Sequence, residues 1–204
     1  MDKIEIEQAN PAYSEIIGEL IHQTASEVWT YLFDSNRELF ERYIEGLWPL
    51  AHNTFAHTEA VVLRDTQKGT VCGLELGYRG DAKKGLGKMV GTAVENILSQ
   101  QELAAMAPLE KGMSYMTAAI PPNAYYLQFF SVDPTYRGLG LGSTLMENCI
   151  SRAKDLNCRS IHLDVTTDNP AVNVYKTLGF RIAAETRLPE KEMLPPLYRM
   201  VKRF

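Results

Sequence analysis

The segment that most constrains the fold is Val132-Asp133-Pro134-Thr135-Tyr136-Arg137-Gly138-Leu139-Gly140-Leu141-Gly142-Ser143. A strand-like run from Tyr125 to Val132 leads into it. Beyond it, Leu145, Met146, Cys149, Ile150, Ala153 and Leu156 recur at helical spacing. Three glycines at alternate positions open backbone conformations closed to other residues and let a ligand approach the main chain. Free N–H groups and the helix dipole at such a strand-to-helix turn favour an anion. Arg137 adds a fixed positive charge, so a diphosphate is the natural guest.

Spacing excludes two rival phosphate motifs. A nucleoside-triphosphate loop needs a lysine before its Ser/Thr, and here Gly142 is followed directly by Ser143-Thr144. A dinucleotide fingerprint needs a third glycine three residues after the second, and position 143 is serine. Gly85-Leu86-Gly87 resembles a second such loop, but Gly91 comes one residue late and no clear strand precedes it. It reads as a flexible start to a helix.

The rest of the chain alternates strand and helix signals. Ile4 to Gln8 alternates apolar and polar residues. Pro11 opens a helix whose stripe runs Tyr13, Ile16, Ile17, Leu20, Ile21, Val28, Tyr31 and Leu32, and a second helix follows Ser35 through Trp48. Strands are expected over Thr58 to Arg64 and Thr70 to Tyr78, joined by the turn residues Asp65 to Gly69. The stretch from Arg79 to Asn123 reads as a helix carrying Leu86, Met89, Val90, Ala93, Val94, Ile97 and Leu98, closed by Pro121-Pro122-Asn123. A strand over Ser160 to Thr166, a short helix from Asn169-Pro170, and strands near Phe180 to Thr186 and Tyr198 to Phe204 complete the order. That order predicts an α/β fold with a mixed sheet and helical crossovers.

Composition narrows the function classes. A formal charge of −4 over 204 residues argues against a nucleic-acid partner, which would normally meet a basic stripe. No apolar run approaches a membrane span, and the charged N-terminus Met1 to Glu7 has no leader-like apolar core. Cys72, Cys149 and Cys158 show no metal or redox spacing, which suits buried thiols and a reduced, cytoplasmic setting. His52 and His57 lie five apart, while His22 and His162 are isolated, so no metal site is expected.

Arg137-Gly138-Leu139-Gly140-Leu141-Gly142 fits an Arg/Gln-x-x-Gly-x-Gly/Ala pattern, with Asn169-Pro170-Ala171-Val172-Asn173-Val174-Tyr175-Lys176-Thr177-Leu178-Gly179-Phe180 downstream. Together with the Ser131-Val132-Asp133-Pro134 lead-in and the final Tyr198 to Phe204 strand, these resemble the GNAT superfamily of acyl-CoA-dependent N-acetyltransferases. The likeness covers Thr58 to Tyr78 and Tyr125 to Phe204, with Ile4 to Leu50 as the usual first strand and helices. It implies one domain over 1–204 with a mostly antiparallel sheet splayed at the CoA-binding strands. The 79–123 segment, where the family usually has a hairpin, would be an unusual helical insert serving as lid, dimer contact or extra packing layer.

The resemblance also implies direct transfer of an acetyl group from acetyl-CoA, as co-substrate, to a primary amine on a small molecule or protein. The diphosphate would sit on the N–H groups of Gly138, Leu139, Gly140, Leu141, Gly142 and Ser143. The pantetheine arm would pair with the backbone of Phe130, Ser131 and Val132, with Val132 N–H facing the oxyanion. Either Asn169 or Asn173 would bond that arm, since Asn169 and Ala171 are closer than is usual. Tyr175 matches the family's phenol for the departing thiolate. Where the family often places a glutamate on the strand before the turn, this chain has Tyr125, Tyr126 and Gln128. Glu75 is favoured as proton acceptor, a water chain stays equally open, and Asp164 reads as a structural hydrogen-bond acceptor. The missing carboxylate also leaves open an acyl-CoA-binding regulator of the same fold without turnover.

Overall fold

The computed structural model describes residues 3–188 and 194–204. Met1 and Asp2, the start of the charged N-terminal stretch, lie outside the described residues. The strands are β1 (Ile4–Gln8), β2 (Ala60–Asp65), β3 (Thr70–Arg79), β4 (Tyr125–Val132), β5 (Ser160–Thr166), β6 (Arg181–Thr186) and β7 (Leu197–Arg203). They form one open sheet in the order β1-β2-β3-β4-β5-β7-β6, with every neighbour antiparallel except β4 and β5. The expected mixed, mostly antiparallel α/β architecture with flanking helices is therefore observed.

Helices α1 (Ser14–His22), α2 (Ser26–Leu32), α3 (Arg37–Leu47), α4 (Lys83–Ile97) and α5 (Gln100–Met116) contribute to the core on one face. Helices α6 (Leu141–Asp155) and α7 (Ala171–Thr177) cover the other. Among the described residues, no helix is long and apolar enough to cross a membrane. The three cysteines are free and buried.

Two helix expectations need correction. The stripe from Tyr13 to Leu32 is two helices, broken at Gln23-Thr24-Ala25. Thr24 Oγ1 donates to the Ile21 carbonyl at 2.7 Å and Trp29 Nε1 at 3.0 Å, sharing with the Thr24 N–H an acceptor at the end of α1. The 79–123 stretch also holds two helices rather than one. Ser99 and Glu102 form a reciprocal capping box that starts α5, and Pro108 lies inside that helix.

The feature that positions the site is a bulge in β4. Phe129 stands opposite Leu76 and Leu127 opposite Gly77, which leaves Gln128 without a partner on β3. A Cβ on Gly77 would come within 2.7 Å of the Tyr126 carbonyl, so glycine is required at this close approach. β4 pairs with β5 only at Tyr125–Ile161 and Tyr126–His162, and beyond those residues the two strands separate. The sheet is thus split between the only parallel pair among the described residues.

Candidate active site

The split opens a cleft of ≈ 880 Å³ that reaches both faces of the sheet. Its α6/α7 side is lined by the glycine turn, Asn169, Val174 and Tyr175; its α1–α5 side by Gln23 to Trp29, Leu32, Phe55, Met113 and Thr117. The α1–α2 break is what brings Gln23 to Ser26 to the cleft wall.

The turn is built locally. Asp133 Oδ1 accepts from Thr135 N at 2.8 Å, Pro134 begins a short 3-10 turn, and Gly138 and Gly140 both have φ 78°. The left-handed region at these positions favours glycine. Gly142 is different: its φ is not positive and an added Cβ would meet nothing within 4 Å, yet it lines the cleft. Neither strain nor packing requires glycine there, and the space it leaves suits a ligand. The N–H groups of Gly138, Leu139, Gly140, Leu141 and Gly142 have no hydrogen-bond partner among the described residues, whereas Ser143 N donates to the Gly140 carbonyl at 3.0 Å. The expected cradle over 138–143 thus narrows to 138–142 for its main-chain donors. Ser143 lines the cleft, while Leu139 has its side chain exposed and outside the lining. Arg137 lines the cleft and its Nε donates to the Val132 carbonyl at 3.1 Å.

Asp133 N donates to the Cys72 carbonyl on β3. Strand alternation therefore points the N–H and C=O of Val132 and Phe130 away from β3, into the cleft. Ser131, between them, also lines it. Asn169 lines the cleft; its Oδ1 accepts from Ala171 N at 2.9 Å and its Nδ2 donates to the Thr24 carbonyl at 3.3 Å. Asn173 is exposed and not part of the lining. Tyr175 lines the cleft, packed 6.3 Å from the Phe130 ring and 5.6 Å from the Phe180 ring. Burial pushes its phenol well above the ordinary value, so it stays protonated.

Glu75 is placed elsewhere. It is fully buried beneath α6, outside the cleft, where Tyr125 donates to it at 2.6 Å and Arg152 forms an ion pair with it. Burial pushes its carboxyl up, opposed by Arg152 and by the hydrogen bonds from Tyr125, Arg152 and Cys149. The favoured proton acceptor thus faces α6 and does not line the cleft. Asp164 lines the cleft as a hydrogen-bond acceptor: Arg199 holds it at 2.6 and 2.8 Å and Tyr126 donates at 3.0 Å. At the bulge, Gln128 accepts from Tyr78 and donates to the Thr54 carbonyl, which fixes its amide in the cleft.

A family model described as Acetyltransferase (GNAT) family matches residues 29–180. The chain belongs to the GNAT acetyltransferase family. An uncharacterized N-acetyltransferase of Methanocaldococcus jannaschii is 40% identical over 74 residues, 36% of this chain and 29% of that protein. The thialysine N-epsilon-acetyltransferase of Sus scrofa is 41% identical over 61 residues, 29% of this chain and 36% of that protein. The chain thus matches well under half the length of either relative. An N-acetyltransferase structure from Staphylococcus aureus Mu50 superposes with TM-score 0.76 at 16% identity, covering 97% of this chain and 100% of that one. The structure of a Thermoplasma acidophilum N-acetyltransferase in complex with coenzyme A superposes at 0.54 with 13% identity, over 98% and 99%. At such identities the superpositions establish the GNAT fold.

In this GNAT fold, a histidine beside the cleft has a testable pH signature. His162 on β5 is half-buried, with Nε2 3.1 Å from Ser160 Oγ and a buried Nδ1 that has no hydrogen-bond partner among the described residues. Burial, then the Arg199 charge, hold its pKa below 6.5. Below that value the unfolded chain takes up a proton that the folded protein refuses, so stability falls as pH drops through 6.5 toward the folded pKa. Thermal midpoints measured across this window should fall with acidification, and less so in His162→Gln.

Proposed function

We propose that this chain is an acyl-CoA-dependent N-acetyltransferase that moves an acetyl group from acetyl-CoA directly to a primary amine, with both substrates in the β4–β5 cleft. The observation that carries this reading is the row of unpartnered N–H groups from Gly138 to Gly142 at the start of α6, opening into the split. The coenzyme A bound to the Thermoplasma acidophilum relative supports the same donor. We take residues 1–204 as one domain in which α4 and α5 are an addition to the family's plan.

The diphosphate rests on the 138–142 N–H groups and Arg137. The pantetheine arm pairs with the cleft edge of β4 at Phe130 and the Val132 N–H, beside Ser131 and Asn169, the Val132 carbonyl being taken by Arg137. Val132 lies at the phosphate end of β4, so the length of the arm carries the thioester further along the strand, toward the bulge at Gln128. The unpaired main chain at that bulge is our candidate donor to the developing oxyanion, displacing Val132 from that role. Tyr175 gives its proton to the departing thiolate.

The amine has a pKa of about 10 in water and must arrive at the thioester deprotonated. Gln128 cannot accept that proton and Asp164 is held by Arg199. Glu27 and Asp168, the other carboxylates of the lining, are exposed at its rim, so we assign the proton to water in contact with the cleft. Direct attack needs no enzyme nucleophile, and holding both substrates in one cleft supplies much of the rate.

Tyr175→Phe should lower kcat by about 100-fold while leaving the KM for acetyl-CoA near its starting value. An initial-rate matrix in acetyl-CoA and amine, followed by thiol release, tests the mechanism. Intersecting lines are expected. Parallel lines would indicate an acetylated enzyme and overturn direct transfer. The fixed Gln128 amide favours a second reading, a regulator that binds acyl-CoA without turnover. That reading would win if acetyl-CoA bound and no amine released thiol.

A further inference from the structure

The acceptor half of the cleft is chemically one-sided. The charged side chains lining the cleft, among the described residues, are Arg137, Glu27, Asp164 and Asp168. Arg137 belongs to the phosphate turn, so nothing cationic lines the remainder. Arg199 lies close by, but its guanidinium is spent on both Asp164 oxygens and on the carbonyls of Ala118 and Ala119. Glu27 and Asp168 are exposed at the rim and Asp164 is held inside by Arg199. A substrate carboxylate drawn past the rim would therefore lose water and find no cationic side chain to pair with, an arrangement that costs heavily. An ammonium meets the opposite field.

The far wall is apolar and fixed. Val28 and Leu32 of α2, Met113 of α5 and Leu197 of β7 line the cleft and join one hydrophobic cluster with Tyr31 and Met116. Gly112 allows α5 to lie close to α2: a Cβ there would sit 2.7 Å from the Tyr31 hydroxyl. The C-terminal end of α5 is anchored by Thr186 Oγ1, which donates to the Met116 carbonyl at 2.6 Å, and by Arg199 on the carbonyls of Ala118 and Ala119 just beyond it. A long acceptor would have to displace this wall, whereas a short apolar one fills the space in front of it.

We propose that the acceptor is a small primary amine on an alkyl or aryl body that bears no carboxylate, with Met113 as the residue that sets this preference. The proposal rests on the acetyl-transfer reading above. The apolar body packs against Met113 and its neighbours, and the nitrogen points toward the Gln128 bulge. In the transfer the amine N–C bond forms as the thioester C–S bond breaks. Of the two protons lost by the ammonium form, one ends on the CoA sulfur and the other leaves to water.

Matched pairs test it by kcat/KM from thiol release: 2-phenylethylamine against phenylalanine, hexylamine against 6-aminohexanoate, and a C-terminally amidated tripeptide with an N-terminal phenylalanine. Each amine should exceed its carboxylated partner by about 100-fold or more, because an unpaired buried charge is that costly. The tripeptide should be slower than 2-phenylethylamine. Met113→Arg should narrow the carboxylate discrimination at least tenfold without changing the KM for acetyl-CoA. Should that variant not fold, the matched pairs on the unaltered protein decide alone. Equal or better use of the carboxylated amines or of the tripeptide, or a folded Met113→Arg enzyme with unchanged discrimination, overturns the substrate class and leaves acetyl transfer standing. No thiol release with any amine, while acetyl-CoA still binds, overturns both.

Discussion

Gly142→Asp should abolish useful acetyl-CoA binding while leaving the free protein as stable as before or slightly more so. The residue is the second of α6, its Cβ would point into open space, and its backbone needs no left-handed conformation. Replacing a glycine in a helix and placing a carboxylate at its positive end contribute about 0.5–1 and 0.3–1 kcal/mol of stability, respectively. The same carboxylate would face the diphosphate. Two like charges about 4 Å apart repel by about 4 kcal/mol at an effective dielectric of about 20, so even after solvent screening the Kd should rise by at least ~100-fold. Gly142→Ala, which adds bulk without charge, should have a much smaller effect. Calorimetric titration with acetyl-CoA and a thermal melt of the free variants check both halves. An unchanged Kd in Gly142→Asp would remove the turn from the binding site.

Arg152→Met should be severely destabilising, and Glu75→Gln should be mild. Removing Arg152 strands a carboxylate that is fully buried, at a typical cost of about 3–5 kcal/mol. For a chain of this size that lowers the melting temperature by roughly 6–20 °C. Glu75→Gln instead leaves Arg152 with 23% of its side chain exposed and able to turn toward water, and the glutamine oxygen can still accept from Tyr125. A cost of about 1–2 kcal/mol is expected. Because Glu75 lies outside the cleft, kcat for Glu75→Gln should stay within about threefold of the original, far from the 100-fold or greater loss typical of a missing general base. Such a loss, measured below the melting temperature, would restore Glu75 as proton acceptor.

Glu75 also illustrates the limits of the sequence. Residues Val71 to Tyr78 of β3 are buried on both faces of the sheet. A strand covered on both sides gives no alternation from which to tell the α6 face from the cleft. The Arg152 partner lies 77 residues away, beyond any local pattern. By contrast, the glycine turn, β5 and the helix after the turn are local objects, and their spacing located them closely. The α1–α2 break escaped notice because Gln23-Thr24-Ala25 contains neither glycine nor proline, and its mark is a hydroxyl and an indole sharing the Ile21 carbonyl with the Thr24 N–H. α5 had two readable signs: the Ser99/Glu102 cap and the recurrence of Leu103, Met106, Leu109, Met113 and Met116. Pro108, which argues against a helix interior, masked them. The bulge at Gln128 is a mismatch between two strands, visible only once their register is known.

Amide hydrogen exchange with and without acetyl-CoA tests the central claim most directly, because the claim names the amides involved. Binding should slow exchange at Gly138 to Gly142, which lack internal partners, and along the cleft edge of β4 at Phe130 and Val132. Ser143, already bonded to Gly140, should change least among the turn residues. Slowing confined to another region, such as the Gly85–Gly91 start of α4, with the 138–142 amides unchanged, would contradict the account.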